Sequence, residues 1–144
     1  MSELDKALDA LDGEGTVQVD RGSHQAEVEV ADAGRLGVSV RRVRVHRSEP
    51  VDVAQEAMEL PNRLRSLPER VTPVEVDPTL GGARLRTDPD DLRGGEFFEV
   101  DVSADETTVQ RTRIDEEGDR HSADFTLTRE QLDRLIDEAA GPPS

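Results

Sequence analysis

Apolar positions along this chain alternate with period two over most of its length and switch to helical spacing in three places. "TVQVD" and "AEVEVA" each alternate strictly and are separated by "RGSH", which reads as a turn between two strands. Val17 and Val19, with Ala26, Val28 and Val30, then face inward. After "DAGR" a longer strand begins, with Leu36, Val38 and Val40 on the inward face. Its apolar positions run on even numbers to Val40 and on odd numbers at Val43 and Val45. Strict alternation cannot do this, so one extra residue has to be absorbed. A β-bulge at Arg41 and Arg42 keeps Leu36 to Val45 on one buried face and turns Ser39, Arg41 or Arg42, Arg44 and His46 outward. With Val30 opposite Leu36, Gln25 faces Arg41, and Glu27 and Glu29 lie along the same outward face.

Three helices interrupt the strands. Ser2 caps a short one whose stripe is Leu4, Leu8 and Leu11, with Asp5 at its third position and Gly13 beyond its end. "SEPVDVAQEAMELPNRLRSL" reads as a second, with Ser48 as cap, Pro50 in the first turn, and a stripe of Val53, Ala57, Met58 and Leu60. Pro61 breaks or kinks it, and a short turn follows with Leu64 and Leu67. "VTPVEV", "GGARLRT", "EFFEVDVS", "TTVQRTRI" and "HSADFTLT" are strand-like again, with "DEEGD" as a hairpin loop. Phe98, Val100 and Val102 share one face, as do Ala123, Phe125 and Leu127. A capping box of Thr128 and Gln131 opens the last helix, "REQLDRLIDEAA", whose buried stripe is Leu132, Leu135, Ile136 and Ala139. Strands joined by short loops and bracketed by helices define an α+β fold. The expectation is a single domain over residues 1–140, with an antiparallel sheet of about six to eight strands and the N-terminal, central and C-terminal helices packed on one face; residues 141–144 read as a disordered tail.

Composition sharpens this picture. At 144 residues the chain is long enough for one sheet-and-helix core, and without cysteine it has no disulfide, thiolate metal site or thiol nucleophile. Arginine outnumbers lysine 17 to 1 and Asn62 is the only asparagine, a skew that fits GC-rich codon usage better than chemistry. The net charge of -15 suits a solubility device or a salty interior, and it argues against nucleic-acid and anionic-membrane partners. It is uneven: residues 1–47 carry -2 and residues 48–144 carry -13. The N-terminal pattern of acidic and small apolar residues has no continuous apolar run, so a cytoplasmic setting is expected.

Against that background "GRLGVSVRRVRVHR" stands out, with five arginines and no carboxylate. Arg41, Arg42, Arg44 and His46 are candidate contacts for a partner or a small anion, the alternative being cross-strand pairing with Glu27, Glu29, Glu99 and Asp101. Phe97 is the other candidate, because parity turns it outward while Phe98 goes in; a helix or an interface should cover it. His24, His46 and His121 lack metal-ligand spacing and read as surface histidines. "DPDD" and "DEEGD" depart from calcium-loop spacing and read as solvated loops. No catalytic residue, metal ligand or cofactor-binding loop is assigned: the paired glycines lack phosphate-loop spacing, no serine lies in a nucleophile motif, and every acid lies on an outward face or loop.

The order of elements from residue 36 to residue 140 resembles the helix-grip order of START and polyketide-cyclase-like domains. That resemblance is topological, matches no motif residue, and implies a curved sheet closing on the last helix around an apolar cavity. The N-terminal hairpin lies outside it, and the last helix is short for the family. The reading that follows is an acidic, non-enzymatic domain that binds another protein or a second copy of itself, with a cup for a small apolar ligand as the rival and anion binding by the arginine strand as the third.

Overall fold

Alternating valines gather the strands into one antiparallel sheet whose inward rows are in register across six strands. The computed structural model describes residues 2–77, 79, 81–87 and 95–141. The "DPDD" loop, Gly94 and residues 142–144 of the expected tail lie outside those described. In chain order the elements are α1 (Glu3–Ala10), β1 (Gly15–Asp20), β2 (His24–Ala33), β3 (Gly37–Arg47), α2 (Val53–Arg63), β4 (Val71–Asp77), β5 (Gly82–Thr87), β6 (Glu96–Ser103), β7 (Glu106–Ile114), β8 (Arg120–Ala123), β9 (Phe125–Thr128) and α3 (Arg129–Ala140). The sheet runs β1-β2-β3-β7-β6-β5-β4, with β8 on β7 and β9 on β3. Val17, Val28, Val43, Val109, Val100 and Leu85 line up as one buried row across it. Such a row removes each side chain from water against the next, which stabilises the strand order as well as the strands.

The bulge lies where the parity switch requires it. Glu29 pairs with Arg42 and Val30 with Val40, so Arg41 is the residue left over, and Val38, Val40, Val43 and Val45 all stay buried. Arg41 is also where β3 changes neighbour: residues 37–40 pair with β9 and residues 42–46 with β7. β7 changes in the same place, pairing with β3 over residues 106–110 and with β8 over residues 111–114. The bend opens a wedge between β3 and β7, and the single stretch "HSADFTLT" fills it by breaking at Asp124 into β8 and β9. Arg41 bridges the apex, 3.9 Å from Asp124 and 3.0 Å from Glu14. That break brings the sheet to nine strands.

Three details correct the sequence reading. Leu36 is 87% exposed, because Gly34 N–H donates to Gly37 O in a tight turn and the strand begins only at Gly37. The β2–β3 register consequently puts Val30 on Val40 and Gln25 on His46. In α2 the cap is Asp52, which accepts from Gln55 N–H, while the Ser48 hydroxyl donates to Ser23 O. Met58 points to water and Glu56 takes the buried position, since the stripe Val53, Glu56/Ala57, Leu60 follows helical spacing and Met58 falls off it. Pro61 is accommodated near the end of the helix, two residues before it stops at Arg63.

All three helices lie against the inward face. Leu4 and Leu8 of α1, Val53, Ala57 and Leu60 of α2, and Leu132, Leu135, Ile136 and Ala139 of α3 join one cluster with the inward strand residues. Phe98 meets Phe125 edge to face with centroids 5.2 Å apart inside it. The α3 capping box forms as expected, Thr128 and Gln131 satisfying each other's backbone N–H. Among the described residues, no helix is long and apolar enough to cross a membrane. Ile136→Ala should lower stability by about 2–5 kcal/mol, whereas Leu36→Ala should change it by less than about 0.5 kcal/mol; urea unfolding of both variants checks the pair.

Candidate functional site

With the helices on one side, the other face of the sheet carries no helix among the described residues, and its outward side chains form ordered rows. One row reads Thr16, Glu29, Arg42, Gln110, Glu99, Arg86, Thr72 from β1 to β4; the next reads Gln18, Glu27, Arg44, Thr108, Asp101, Arg84, Glu75. Charges therefore fall in columns: acidic on β2, basic on β3, neutral on β7, acidic on β6 and basic on β5. Opposite charges on adjacent strands attract across 4.5–5.5 Å of sheet, roughly the usual cross-strand spacing.

The arginine strand is largely neutralised within this array. Arg42 pairs with Glu29 at 3.5 Å and Arg44 with Glu106 at 2.8 Å, while Arg41 takes Glu14 and Asp124. Glu99 and Asp101 do not reach these arginines, because β7 intervenes between β3 and β6. Arg44 and His46 do share a surface groove of about 390 Å³ with Gln18, Asp20, Gln25 and Glu27. It presents both signs of charge, so it has no strong preference for an anion.

Phe97 points to the helix-free face, as parity requires, yet it is buried. Arginine side chains from flanking strands cover it: the guanidinium carbons of Arg86 and Arg120 lie 5.9 and 5.8 Å from its ring centroid. Beside it Glu99 is also buried, contrary to the expectation that every acid is outward and wet. Its carboxylate accepts from Thr112 Oγ1 at 2.6 Å, pairs with Arg120, and lies 3.6 Å from Arg84 Nε. Arg84 bonds Asp101 at 2.8 Å, and that bond raises its pKa above the ordinary guanidinium value. Arg86 differs. Among the described residues it has the aromatic contact but no acid, and its Nε is buried without a hydrogen-bond partner.

A second charged cluster, missed in the sequence, lies on the helix side. The odd-numbered parity of Val43 and Val45 continues to Arg47, which is buried at 4% exposure. Arg47 donates to Thr107 Oγ1 and Ser103 O, each at 2.6 Å, and lies 3.8 Å from Glu56. Arg63 forks onto the same carboxylate at 2.9 and 2.6 Å and donates through Nε to Glu138 O. Arg47 and Arg63 thereby reach the terminal carbonyls of α3, which no helical N–H can satisfy. Burial lowers the Arg47 pKa, with Glu56 opposing that shift. This cluster clamps α2 and α3 onto the β6–β7 corner.

The histidines fall outside any metal geometry: among the described residues, no group of three or more His, Asp or Glu side chains is placed to hold an ion. His24, expected at the surface, is buried and lies between Ser23 Oγ at 3.0 Å and Asp137 Oδ1 at 2.9 Å. Arg21 binds Asp137 as well, at 3.0 Å, and also Asp133, so the β1–β2 turn is tied to α3. His121 meets Asp115 at 2.7 Å in the "DEEGD" hairpin, and this bond holds the Asp115 carboxyl below its usual pKa.

Neither a family model, nor a curated protein, nor a solved structure matches this chain. The buried clamp carries a direct prediction. Glu56→Gln should cost roughly 3–5 kcal/mol, as expected when a buried cation loses its counter-charge, against less than about 1 kcal/mol for Glu106→Gln in the exposed Arg44 pair; urea midpoints compare the two.

Proposed function

We propose that this chain is a non-enzymatic protein-binding domain that docks its partner on the helix-free face of the sheet, with Arg86 above Phe97 receiving a partner carboxylate. The observation that carries the reading is Arg86, whose Nε has no hydrogen-bond partner and which makes no ion pair among the described residues. The outward arginines Arg42, Arg44, Arg84 and Arg120 each have an acid, whereas Arg86 faces Glu99 across the strands and makes no ion pair with it among the described residues: Glu99 Oε1 is taken by Thr112 and Arg120, and Oε2 lies 3.6 Å from Arg84 Nε. A buried donor left unbonded is costly; the Arg86 side chain is only half-buried, and a carboxylate at its accessible edge would add charge-assisted bonds that a guanidinium fork directs. The guanidinium carbon lies 5.9 Å from the Phe97 ring centroid, within reach of a cation–π contact. The paired columns around it also favour docking, since a charge already matched in its own chain costs less to cover than a naked one.

The same reading displaces anion binding from Arg42 and Arg44 to Arg86, and it is less compatible with a ligand cup, because Phe98 and Phe125 meet directly where that cavity would lie. A cytoplasmic setting belongs to this proposal. Acetate, added at constant ionic strength against chloride, should move the Arg86 Nε–H resonance, assigned by its loss in Arg86→Lys, in a saturable way. A resonance that stays still would refute the carboxylate seat.

One observation favours a hydrolytic reading instead: Ser23, His24 and Asp137 follow the hydroxyl, imidazole, carboxylate order of an activated nucleophile. Asp137, however, is shared with Arg21, and the Ser23 carbonyl is held by both Ser48 N–H and Ser48 Oγ. The relay therefore reads as a tether of the β1–β2 turn. No fluorophosphonate adduct is expected by intact-mass measurement; a stoichiometric adduct that Ser23→Ala abolishes would move the function to this relay.

A further inference from the structure

We infer that the partner is a second copy of this chain, laid face to face on the first about a twofold axis running along β7. The inference rests on the docking face proposed above and names its occupant from the charge columns. Counting outward from the neutral strand β7, the first column is basic on one side (Arg42, Arg44 of β3) and acidic on the other (Glu99, Asp101 of β6). The second is acidic on the β3 side (Glu27, Glu29 of β2) and basic on the β6 side (Arg84, Arg86 of β5). The face is thus antisymmetric in charge about its central strand.

A twofold axis parallel to the strands exchanges left and right and keeps each row at its own height. It sets Arg44 over the second copy's Asp101, Glu27 over its Arg84 and Glu29 over its Arg86, and brings Arg42 over the column of Glu99, whose carboxylate is itself buried. Both halves of the interface repeat these contacts, as an isologous interface must. An axis perpendicular to the strands would instead stack every column on itself, arginine on arginine, which is strongly disfavoured. The charge pattern therefore selects one geometry of the two. On the axis itself lie the uncharged Thr108 and Gln110; Glu106, at the end of the lane, is neutralised by Arg44 within its own chain.

The unmatched charges point the same way. Among the described residues, Arg44 turns to Glu106 and leaves Glu27 with no ion pair, and Arg86 has no acid either. One is an acid on β2 and the other a base on β5, the two columns that this axis superposes. They lie one row apart, so Glu27 gains Arg84 and Arg86 gains Glu29, each across the interface from a residue that also has a partner in its own chain.

Light scattering and sedimentation velocity across protein concentration should give a species of twice 15.8 kDa that dissociates as salt rises. Glu29→Lys and Arg86→Glu should each weaken self-association by about tenfold or more. Mixed in equal amounts they should associate again, since the two reversed charges then face each other while the native Glu29 of one copy still meets the native Arg86 of the other. Should Arg86→Glu fail to fold by circular dichroism, Arg44→Glu mixed with Asp101→Lys poses the same test on side chains that are 43% and 40% exposed. A wild-type monomer at millimolar concentration, a dimer indifferent to these variants, or variants that do not rescue one another would each overturn the second copy as partner. The acetate response of Arg86, read in Glu29→Lys, separates the two readings: present with a wild-type monomer, it sinks only the dimer; absent with that monomer, it sinks both.

Discussion

The extra residue at Arg41 is the constraint on which the rest of the sheet depends. Without it, the valines before and after the switch would lie on opposite faces, and either Val38 and Val40 or Val43 and Val45 would be driven into water. With it, all four stay buried, and β3 bends away from β7. The wedge so opened needs backbone partners on both sides, and a single strand cannot supply both. Asp124 resolves this by splitting the last strand stretch, so β8 completes β7 and β9 completes β3. α3 follows β9 directly, so its position over β3 is inherited from that split.

Two populations of arginine follow from the two faces. On the inward side Arg47 and Arg63 use their forks on carbonyls and on Glu56, so their charge is spent on helix ends that apolar side chains cannot satisfy. Their partners are backbone groups, fixed as soon as the fold forms. On the outward side the arginines meet carboxylates of neighbouring strands, and their long stems cover what a helix would otherwise cover, Phe97 included. Lysine would serve poorly in either place, because both need a planar fork that donates in several directions at once.

Much of this is legible in the sequence, and the reasons for the gaps are specific. Period-two alternation locates the strands and the bulge because both depend on neighbours in the chain. The same parity carries on to Arg47, where a charged residue at an inward position is the signal of a buried ion cluster. In α2 the helical spacing favours Glu56 over Met58, and only the apolar character of Met58 argues otherwise. Leu36 is different: parity says which face a residue takes, and it does not say where a strand starts. The surroundings of Phe97, Glu99 and Arg86 are not legible, because they come from β5, β7 and β8, whose order in the sheet is not a local property.

The outward face also explains why an acidic chain concentrates arginine in one strand. β3 lies between β2 and β7, and β2 brings Glu27 and Glu29 to it. A neutral β3 would leave the β2 acids beside one another with no counter-charge; a basic β3 matches them and leaves the excess negative charge to loops and helix surfaces. Repeating the alternation across β6 and β5 neutralises the second half of the face in the same way. The sign of each column is then set by its neighbour, and the neutral β7 is the one place where the alternation restarts. Matching within each half leaves the sign across β7 free, and here β6 is acidic where β3 is basic, so the face is antisymmetric about that strand, which is the property on which the proposed twofold pairing rests.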